Sequence, residues 1–522
     1  MTLYHVITAY QLLCAMTLQT IRGGESTIVI SPFIKQKFPY VNKLNDYFDN
    51  IIVVEQIDYR CFHDSKETMY YFKKIVPMLD KADEIFVWGA QFSFGVCLAE
   101  NEIPFVFCEE VAGMLSRPEI LEHIDQKNPV KGTMYPYVKS LGLYTGEYNR
   151  ATTVMCNLLA QVNGFEREGI THFNVVEELD KLSDLKKAEI ISFFCDYSKI
   201  SVPKDSVIIF TQHFANLRLT TFEEQALIYQ IFVDYFFPMK NLIIKPHPDD
   251  LMFYSKLFPE AHIIKERFPS EFLPFLLEYQ PDSVATIYST AVYNLRGVYS
   301  NVFELDMYYE REFWKTHRYF TAMEIAKLLG KPVVCLGIYQ VLMDKIGERV
   351  GVTCQFIKQV ADILDKQEPI TLIVDDVTGK EEIGRRNVQS YLNLAHKDTV
   401  VIFINSQNDY CWYDFGKNTL WESIIPVELK KTLCTDANCE YVYENLNSEV
   451  LYVYGKNNDL LKEVNEMQIE KHLPHVGIDV KKFPYVEGEE RIKMLEGVLD
   501  ATERRLLYYI NLVKDLEEKI KK

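Results

Sequence analysis

The sequence contains no CxxC pair and no cysteine–histidine spacing of the kind that binds zinc, although 11 cysteines are scattered along its 522 residues. Scattered cysteines without such spacing are typical of reduced core residues in a cytosolic protein. We therefore expect a cytoplasmic chain without a structural metal centre. Contact with the inner face of a membrane is left open by this pattern.

Long apolar runs are also missing. No stretch of about 18 apolar residues occurs, so no membrane span is expected. The apolar N-terminus, residues 1–21, lacks a basic segment and a small-residue cleavage site, and His5, Tyr10 and Gln11 interrupt it. The pattern predicts a buried strand and helix and not a signal peptide.

Positive charge is scarce. Lysine and arginine number 56 against 74 aspartates and glutamates, which gives a formal net charge of -18. A general nucleic-acid binder needs a basic face, so this class is excluded. A local basic pocket for an anionic ligand is compatible with the total.

Short apolar runs of strand length recur along the chain and alternate with helical patterns. One set lies within residues 3–110, a second set lies within 207–306, and a helical stretch is predicted over about 147–200. Runs rich in Val, Ile and Phe that alternate with helices are typical of parallel sheets buried on both faces. We predict an α/β fold with two Rossmann-type domains, residues 1–200 and 201–330, and ligands beyond the carboxyl ends of the strands.

A third α/β region is predicted over residues 331–488. "VITAYQLLCAM" at 6–16 and "CLGIYQVLMDK" at 335–345 are similar, which suggests a degenerate repeat of the first unit. Residues 489–522 carry apolar heptad positions from Ile492 to Ile520, typical of a long amphipathic helix. This helix either pairs two chains through residues 491–520 or docks on its own domain.

The stretch "NLIIKPHPDD" places a histidine directly after an apolar run. Pro246 and Pro248 restrict the backbone on both sides of His247, and a helix is predicted to begin at 249–250. A histidine at a helix start can donate a hydrogen bond or a proton to a phosphate. The alternative is a turn in which His247 caps a carbonyl.

A second strand exit carries two hydroxyls. Ser289 and Thr290 follow the run "SVATIY", where they can cap a helix or hold a phosphate. Two such exits from one sheet favour a nucleotide-phosphate site.

Acidic residues follow a strand of the first domain. Glu109 and Glu110 come just before Gly113, and either carboxylate could accept a proton from a substrate hydroxyl. The alternative is a solvated acidic turn. Upstream, Gly89 and Gln91 mark a further strand exit where a ligand could approach the backbone.

These motifs carry a resemblance. An opening strand followed by "TAYQLL", then "CEEVAG", "KPHP" and "YSTA", over about residues 1–320, resembles the bacterial sialyltransferases of glycosyltransferase family 52, the lipooligosaccharide and capsule group. The acidic motif departs from the family pattern, since Val111 and Ala112 separate the glutamates from the glycine.

The resemblance implies a GT-B-like fold and a transferase that uses CMP-sialic acid without a metal or other cofactor. It implies direct displacement with inversion onto a glycan hydroxyl. His247 would contact or protonate the departing phosphate, and Glu109, Glu110 or His213 would be the base. The further residues that it implies are Lys245, Pro246, Gln212, Ser289 and Thr290 at the donor site, and Tyr10, Gln11, Gly89, Gln91 and Gly113 along the substrate cleft.

Two alternatives stay open at this point. A transferase of another CMP-activated acidic sugar, of the Kdo or legionaminic type, would need the same phosphate motifs. A non-catalytic scaffold that binds a glycan or nucleotide would account for the third region and the heptad segment.

Overall fold

A computed structural model describes most of the first 375 residues and several segments beyond them. The described residues are 1–38, 41–54, 65–127, 134–162, 165–215, 220, 222–238, 240–248, 250–266, 268–305, 313, 316–363, 368–375, 394–404, 423–428 and 450–466. Three sheets organise these residues, and the strands of each come from one continuous part of the chain. The predicted heptad helix lies outside the described residues, so pairing through it stays a prediction.

The first sheet has seven parallel strands in the order β3-β2-β1-β4-β5-β6-β7. The opening run forms β1, an interior strand of this sheet, and helix α1 follows it, as the sequence predicts. The strands are β1 Thr2–Val6, β2 Ser26–Ile30, β3 Asn50–Val53, β4 Glu84–Trp88, β5 Phe105–Cys108, β6 Ala151–Cys156 and β7 Ile170–His172. The helices are α1 Ala9–Arg22, α2 Pro32–Lys37, α3 Ser65–Ile75, α4 Ser93–Glu100, α5 Pro118–Lys127, α6 Tyr135–Ser140, α7 Val175–Asp180 and α8 Asp184–Phe194.

The prediction of a helical stretch over 147–200 is wrong in its first half. Residues there form β6 and β7, which extend the sheet beyond β5. The segment Ala151–Cys156 contains two threonines and a valine, residues that favour an extended strand. Its pairing partner β5 lies more than 40 residues earlier, and this pairing decides the conformation.

The second sheet has the order β10-β9-β8-β11-β12, with β8 parallel to both of its neighbours. Each apolar run predicted within residues 207–306 forms a strand. They are β8 Ser206–Phe210, β9 Asn241–Lys245, β10 His262–Ile263, β11 Ser283–Ile287 and β12 Val302–Leu305, with helices α9 Phe222–Phe236, α10 Tyr254–Leu257 and α11 Leu273–Leu276.

The third sheet has the order β14-β13-β15-β16-β18-β17, parallel up to β16 and antiparallel after it. β14 and β17 were not predicted from the sequence. β13 and its helix α13 repeat the strand-to-helix pattern of β1 and α1, while common descent stays a prediction. The elements are α12 Thr316–Leu329, β13 Val333–Leu336, α13 Gln340–Val350, β14 Cys354–Ile357, β15 Thr371–Val374, β16 Val400–Phe403, β17 Ser423–Glu428, β18 Val450–Gly455 and α14 Asn458–Glu466.

The chain divides into two compact units. The first contains residues 1–211, 241–248 and 262–303, and the second contains 212–240, 249–261 and 304–522. In the first unit one hydrophobic core joins side chains from β1, α1 and α8 to side chains from β8, β11 and α11. The parallel-sheet α/β fold is confirmed, while the predicted domain boundaries at 200, 330 and 488 stay predictions.

Candidate functional site

Two buried threonines hold the carboxyl ends of β8, β9 and β11 together. Thr211 follows β8, and its Oγ1 accepts a hydrogen bond from the His247 N–H at 3.3 Å. Thr286 in β11 donates through Oγ1 to the Phe210 carbonyl at 3.0 Å. β9 and β11 flank β8, so their exits lie about 10 Å apart on one edge of the sheet. Neither threonine was predicted from the sequence as a site residue.

His247 lies at this edge, in the turn after β9, and is partly exposed. The prediction that a helix begins at 249–250 is wrong, because α10 begins at Tyr254 and has only four residues. The Asp250 carboxylate instead accepts hydrogen bonds from the Met252 N–H at 3.1 Å and the Tyr254 hydroxyl at 2.7 Å. This carboxylate therefore fixes an irregular turn, and the helix-dipole argument for a phosphate at His247 does not apply.

Ser289 and Thr290 lie at the exit of β11. Ser289 is the N-cap of a short 3₁₀ helix, Thr290–Leu295, and its Oγ accepts from the Ala291 N–H at 3.4 Å. The Ser289 N–H in turn donates to Thr286 Oγ1 at 3.1 Å. The preceding Tyr288 has a left-handed backbone with φ of 61°. A tyrosine in this region costs about 1–2 kcal/mol, and such strain is concentrated at functional sites.

Lys245 ends β9 and is buried, with 4% of its surface exposed. Its Nζ donates to the Glu266 carbonyl at 3.0 Å and lies 4.4 Å from the centre of the Phe268 ring. Pro246 follows it and is partly exposed. These contacts give Lys245 a structural role, and its contact with a donor stays a prediction.

Gln212 and His213 belong to the second compact unit. The Gln212 N–H donates to the Tyr229 hydroxyl at 2.5 Å. The Gln212 side-chain oxygen accepts from the His213 N–H at 3.2 Å and lies 2.8 Å from His213 Nδ1. These two contacts join neighbouring residues in the segment after β8, and the role of His213 as a base stays a prediction.

Glu109 is buried at the exit of β5, and both carboxylate oxygens have partners. Oε1 accepts from the Leu115 N–H at 3.0 Å and Gln161 Nε2 at 2.8 Å, and Oε2 accepts from the Asn157 N–H at 3.1 Å. Burial raises the pKa of Glu109 to about 7, against the lowering effect of these hydrogen bonds. The side chain joins the exits of β5 and β6.

Glu110 lies beside Gly89, the residue that follows β4. A Cβ atom placed on Gly89 would lie 3.1 Å from Glu110 Oε2, and the Gly89 backbone is left-handed with φ of 66°. Glu110 is partly exposed, in contrast to Glu109. The glycine thus allows the Glu110 carboxylate to approach the backbone at the edge of the sheet.

Gln11 connects the exits of β1 and β5. It forms a capping box with Thr8 at the start of α1, and its Nε2 donates to the Glu110 carbonyl at 3.2 Å. Gln11 is fully buried and Gln91 is 6% exposed. A hydrogen bond also joins the Tyr10 hydroxyl to the Asn294 side chain. Whether any of these residues contacts a substrate stays a prediction.

The strand exits of the two sheets meet around Gly113 and the 3₁₀ helix Thr290–Leu295. A Cβ atom on Gly113 would lie 3.1 Å from the Tyr293 ring, and the Arg117 guanidinium lies 4.3 Å from the centre of that ring. Asn157 Nδ2 donates to Asn294 Oδ1 at 3.0 Å. The acidic exit of β5 and the hydroxyl-bearing exit of β11 are therefore packed within one compact unit.

Among the residues that the structure describes, no group of three or more histidine, cysteine or acidic side chains is placed to hold a metal ion. Within the same residues, no helix combines the length and the apolar character that crossing a membrane requires.

The sequence model of glycosyltransferase family 52 matches residues 123–302 of this chain, about a third of its length. This range contains Lys245, His247, Ser289 and Thr290, and over it the resemblance seen in the sequence is confirmed. The "TAYQLL" and "CEEVAG" motifs precede the matched range.

One curated relative is an uncharacterised protein of Haemophilus influenzae, 28% identical over 151 residues. The matched segment is 28% of this chain and 49% of that protein, so the chain spans about half the length of the curated relative it matches.

Solved structures of sialyltransferases and of a nucleotide-sugar epimerase are remotely similar. A 2,6-sialyltransferase of a Photobacterium species, solved with CMP and lactose, has a TM-score of 0.39 and 10% identity, over 68% of this chain and 78% of that chain. The GT-B domain of a Photobacterium damselae sialyltransferase has a TM-score of 0.35 and 13% identity, over 68% and 100%. A UDP-GlcNAc 2-epimerase of Methanocaldococcus jannaschii has a TM-score of 0.32 and 14% identity, over 56% and 82%.

Proposed function

We propose that this chain is an inverting glycosyltransferase that moves sialic acid from CMP-sialic acid to a glycan hydroxyl, in the synthesis of a bacterial surface polysaccharide or lipooligosaccharide. One observation carries the proposal. The family 52 match covers β8 to β11 of the second sheet, and at one edge of this sheet His247 and the Ser289–Thr290 pair lie on either side of β8. We propose a cytoplasmic location for this reaction.

On the donor side, the phosphate of CMP would lie between the exits of β9 and β11. The Thr290 hydroxyl and the backbone N–H groups of the 3₁₀ turn are donors of the kind that bind a phosphate. His247 would donate a hydrogen bond to the phosphate oxygen and give it a proton as the bond to the sugar breaks. CMP then leaves, and no metal ion is required by this step.

On the acceptor side, the attacking hydroxyl forms a bond to the anomeric carbon and loses its proton to a base. The pKa of Glu109, near 7, suits a general base, but both of its oxygens already accept hydrogen bonds from three donors. Glu110 is partly exposed and lies at the same edge, although its Oε2 is buried beside Gly89. We therefore propose Glu110 as the base and Glu109 as the anchor that fixes the β5 exit.

The first test combines binding and turnover. Calorimetric titration with CMP should show binding, and CMP release from CMP-sialic acid with a glycan acceptor should show turnover. His247→Ala should lower turnover by roughly 10²-fold, the scale of a lost acid catalyst, while folding changes little because the side chain is partly exposed.

Two results would contradict the proposal. A wild-type chain that does not bind CMP would favour a non-catalytic scaffold, and full turnover in a folded His247→Ala protein would remove His247 from the reaction. A screen of CMP-activated acidic sugars in the same assay separates sialic acid from donors of the Kdo or legionaminic type.

A further inference from the structure

A chain of buried polar side chains joins the acidic exit of β5 to the phosphate-binding turn after β11. Asn157, Asn294 and Glu271 are its members, with exposed fractions of 1%, 1% and 6%. Asn157 Nδ2 donates to Asn294 Oδ1 at 3.0 Å, and Asn294 Nδ2 donates to Glu271 Oε1 at 2.9 Å. The chain begins at the Asn157 N–H, which donates to Glu109 Oε2 at 3.1 Å.

The direction of each hydrogen bond is determined by its neighbours. Asn157 Oδ1 accepts from the Leu159 N–H at 3.0 Å, so its amide nitrogen must face Asn294. Asn294 must therefore present its oxygen to Asn157 and its nitrogen to Glu271. A buried polar group that loses its hydrogen-bond partner costs its full desolvation penalty. The donor and acceptor roles therefore cannot be exchanged at one residue of the chain alone.

Asn294 belongs to the 3₁₀ helix Thr290–Leu295 that Ser289 caps. Its backbone carbonyl accepts a further hydrogen bond, from Asn174 Nδ2 at 3.3 Å. Asn157, Asn174 and Glu271, together with the Tyr10 hydroxyl, therefore hold Asn294 in the turn that follows Ser289 and Thr290. None of these contacts is needed to form the turn itself, because Ser289 already caps it.

We propose that Asn294 and Glu271 are positioning residues of the transferase: the Glu271 carboxylate orients the Asn294 amide toward Asn157, and this chain of hydrogen bonds holds the proposed phosphate-binding turn in register with the carboxylates at the exit of β5. The inference depends on the proposed function and adds residues that do not touch the substrate. A displacement of about 1 Å between reacting groups can cost roughly 10²-fold in rate, so a device that prevents it has a measurable effect.

The test first removes the donor in the Asn294–Glu271 hydrogen bond and then restores a hydrogen bond with the donor on the other residue. Asn294→Asp places a carboxylate against Glu271, whereas Glu271→Gln still accepts from Asn294 through its amide oxygen. In the double variant, the amide of Glu271→Gln can rotate and donate to Asn294→Asp. Turnover and the KM for the donor are measured by CMP release, together with thermal unfolding.

We expect Glu271→Gln to retain turnover within about threefold and Asn294→Asp to lose roughly 10²-fold at pH 8. Because the two facing carboxyls of Asn294→Asp can share a proton, its activity should recover as the pH falls. The titratable groups near the pair are Tyr10, Cys14, Glu109 and Lys245. These groups are present in all variants. A difference in turnover between the variants therefore reflects the Asn294–Glu271 hydrogen bond. The double variant should recover most of the loss at pH 8.

A control with a more exposed pair is Asn457→Asp, in the segment between β18 and α14. Asn457 Nδ2 donates to Asp398 Oδ1 at 2.7 Å, so this change also sets two carboxylates against each other. It should lower the unfolding temperature and leave turnover unchanged. An equal loss of turnover in Asn457→Asp would overturn the proposal.

If Asn294→Asp does not fold, Asn157→Ala replaces it, since it removes the donor to Asn294 and leaves Glu271 in place. Positioning predicts a KM for the donor raised about tenfold. The inference is overturned if Asn157→Ala leaves KM and turnover unchanged, or if the double variant does not recover turnover. The proposed function survives either result as long as the wild-type protein releases CMP. A wild-type protein without CMP binding contradicts the proposed function first, and the inference with it.

Discussion

Replacing Glu109 with glutamine should change how the stability of the β5 exit depends on pH. Burial raises the pKa of Glu109 from an ordinary value of 4.5 to about 7 in the folded chain. The folded state therefore binds a proton between these two values that the unfolded state has released, so stability falls as the pH rises toward 7. At about 1.36 kcal/mol per pKa unit, the loss between pH 5 and pH 8.5 is about 2.5 kcal/mol.

Glu109→Gln removes this titration. The glutamine oxygen can replace Oε1 and keep the Leu115 and Gln161 donors, but its nitrogen then faces the Asn157 N–H. The unsatisfied Asn157 donor destabilises the variant by about 1–3 kcal/mol, and this penalty does not change with pH. Wild type has the extra stability of the protonated Glu109 at pH 5, so the variant should be clearly less stable there. Wild type loses about 2.5 kcal/mol by pH 8.5, so near that pH the two proteins should be close in stability.

Hydrogen exchange of residues 105–117, followed over a urea series at both pH values, measures the free energy of opening of this segment. Glu122→Gln is the matched control. Although burial acts in the opposite direction, hydrogen bonds from Lys139 and Tyr135 hold the pKa of Glu122 below its ordinary value. The stability that Glu122 contributes is lost only when the pH falls below 5. Glu122→Gln should therefore not change how stability depends on pH between 5 and 8.5. If wild type and Glu109→Gln lose the same stability between pH 5 and pH 8.5, the reasoning is wrong.

Two further predictions concern the edge of the first sheet. Gly89→Ala should cost about 1–2 kcal/mol, because φ is 66° and the new Cβ would lie 2.8 Å from Ile7 Cδ1 and 2.9 Å from Phe92 Cδ2. The new Cβ would also lie 3.1 Å from Glu110 Oε2, so turnover should fall as that carboxylate moves. Unchanged stability in urea would contradict this prediction. Burial lowers the pKa of His5 to about 4, against the hydrogen bond with the Trp88 carbonyl, so His5 contributes stability above pH 6.5 that is lost toward pH 4. Wild type should therefore lose about 3 kcal/mol of stability between pH 6.5 and pH 4 because of His5, and His5→Gln should not show this loss. The free energy of opening of β1, measured by hydrogen exchange, tests the prediction. The same pH dependence in the variant as in wild type would refute the role of His5.

Several elements were predictable because their signal is local. The runs at β1, β8, β9 and β11 are short, rich in Val and Ile, and fully or largely buried on both faces, so the sequence alone identifies them. The same locality placed His247 and Ser289 directly after strands. Because the carboxyl ends of parallel strands share one edge, these two residues could be expected near each other before the sheet order was known.

The missed elements depend on partners far away in the chain. β6 and β7 were predicted as helix, and they are strands because β6 pairs with β5. The predicted helix start after His247 failed because the Asp250 carboxylate bonds to the Tyr254 hydroxyl and holds the segment in an irregular turn.

By itself, the sequence determined the parallel α/β class, the strand exits and the residue types at them, since each follows from a few neighbouring residues. Only the tertiary structure decided which exits lie side by side and which of two adjacent glutamates is buried. It also brought Asn157, Glu271 and Asn294 together across 137 residues of chain. No local pattern marks these three residues, because a buried hydrogen bond between distant segments depends on the order of the strands and not on the spacing of residues along the chain.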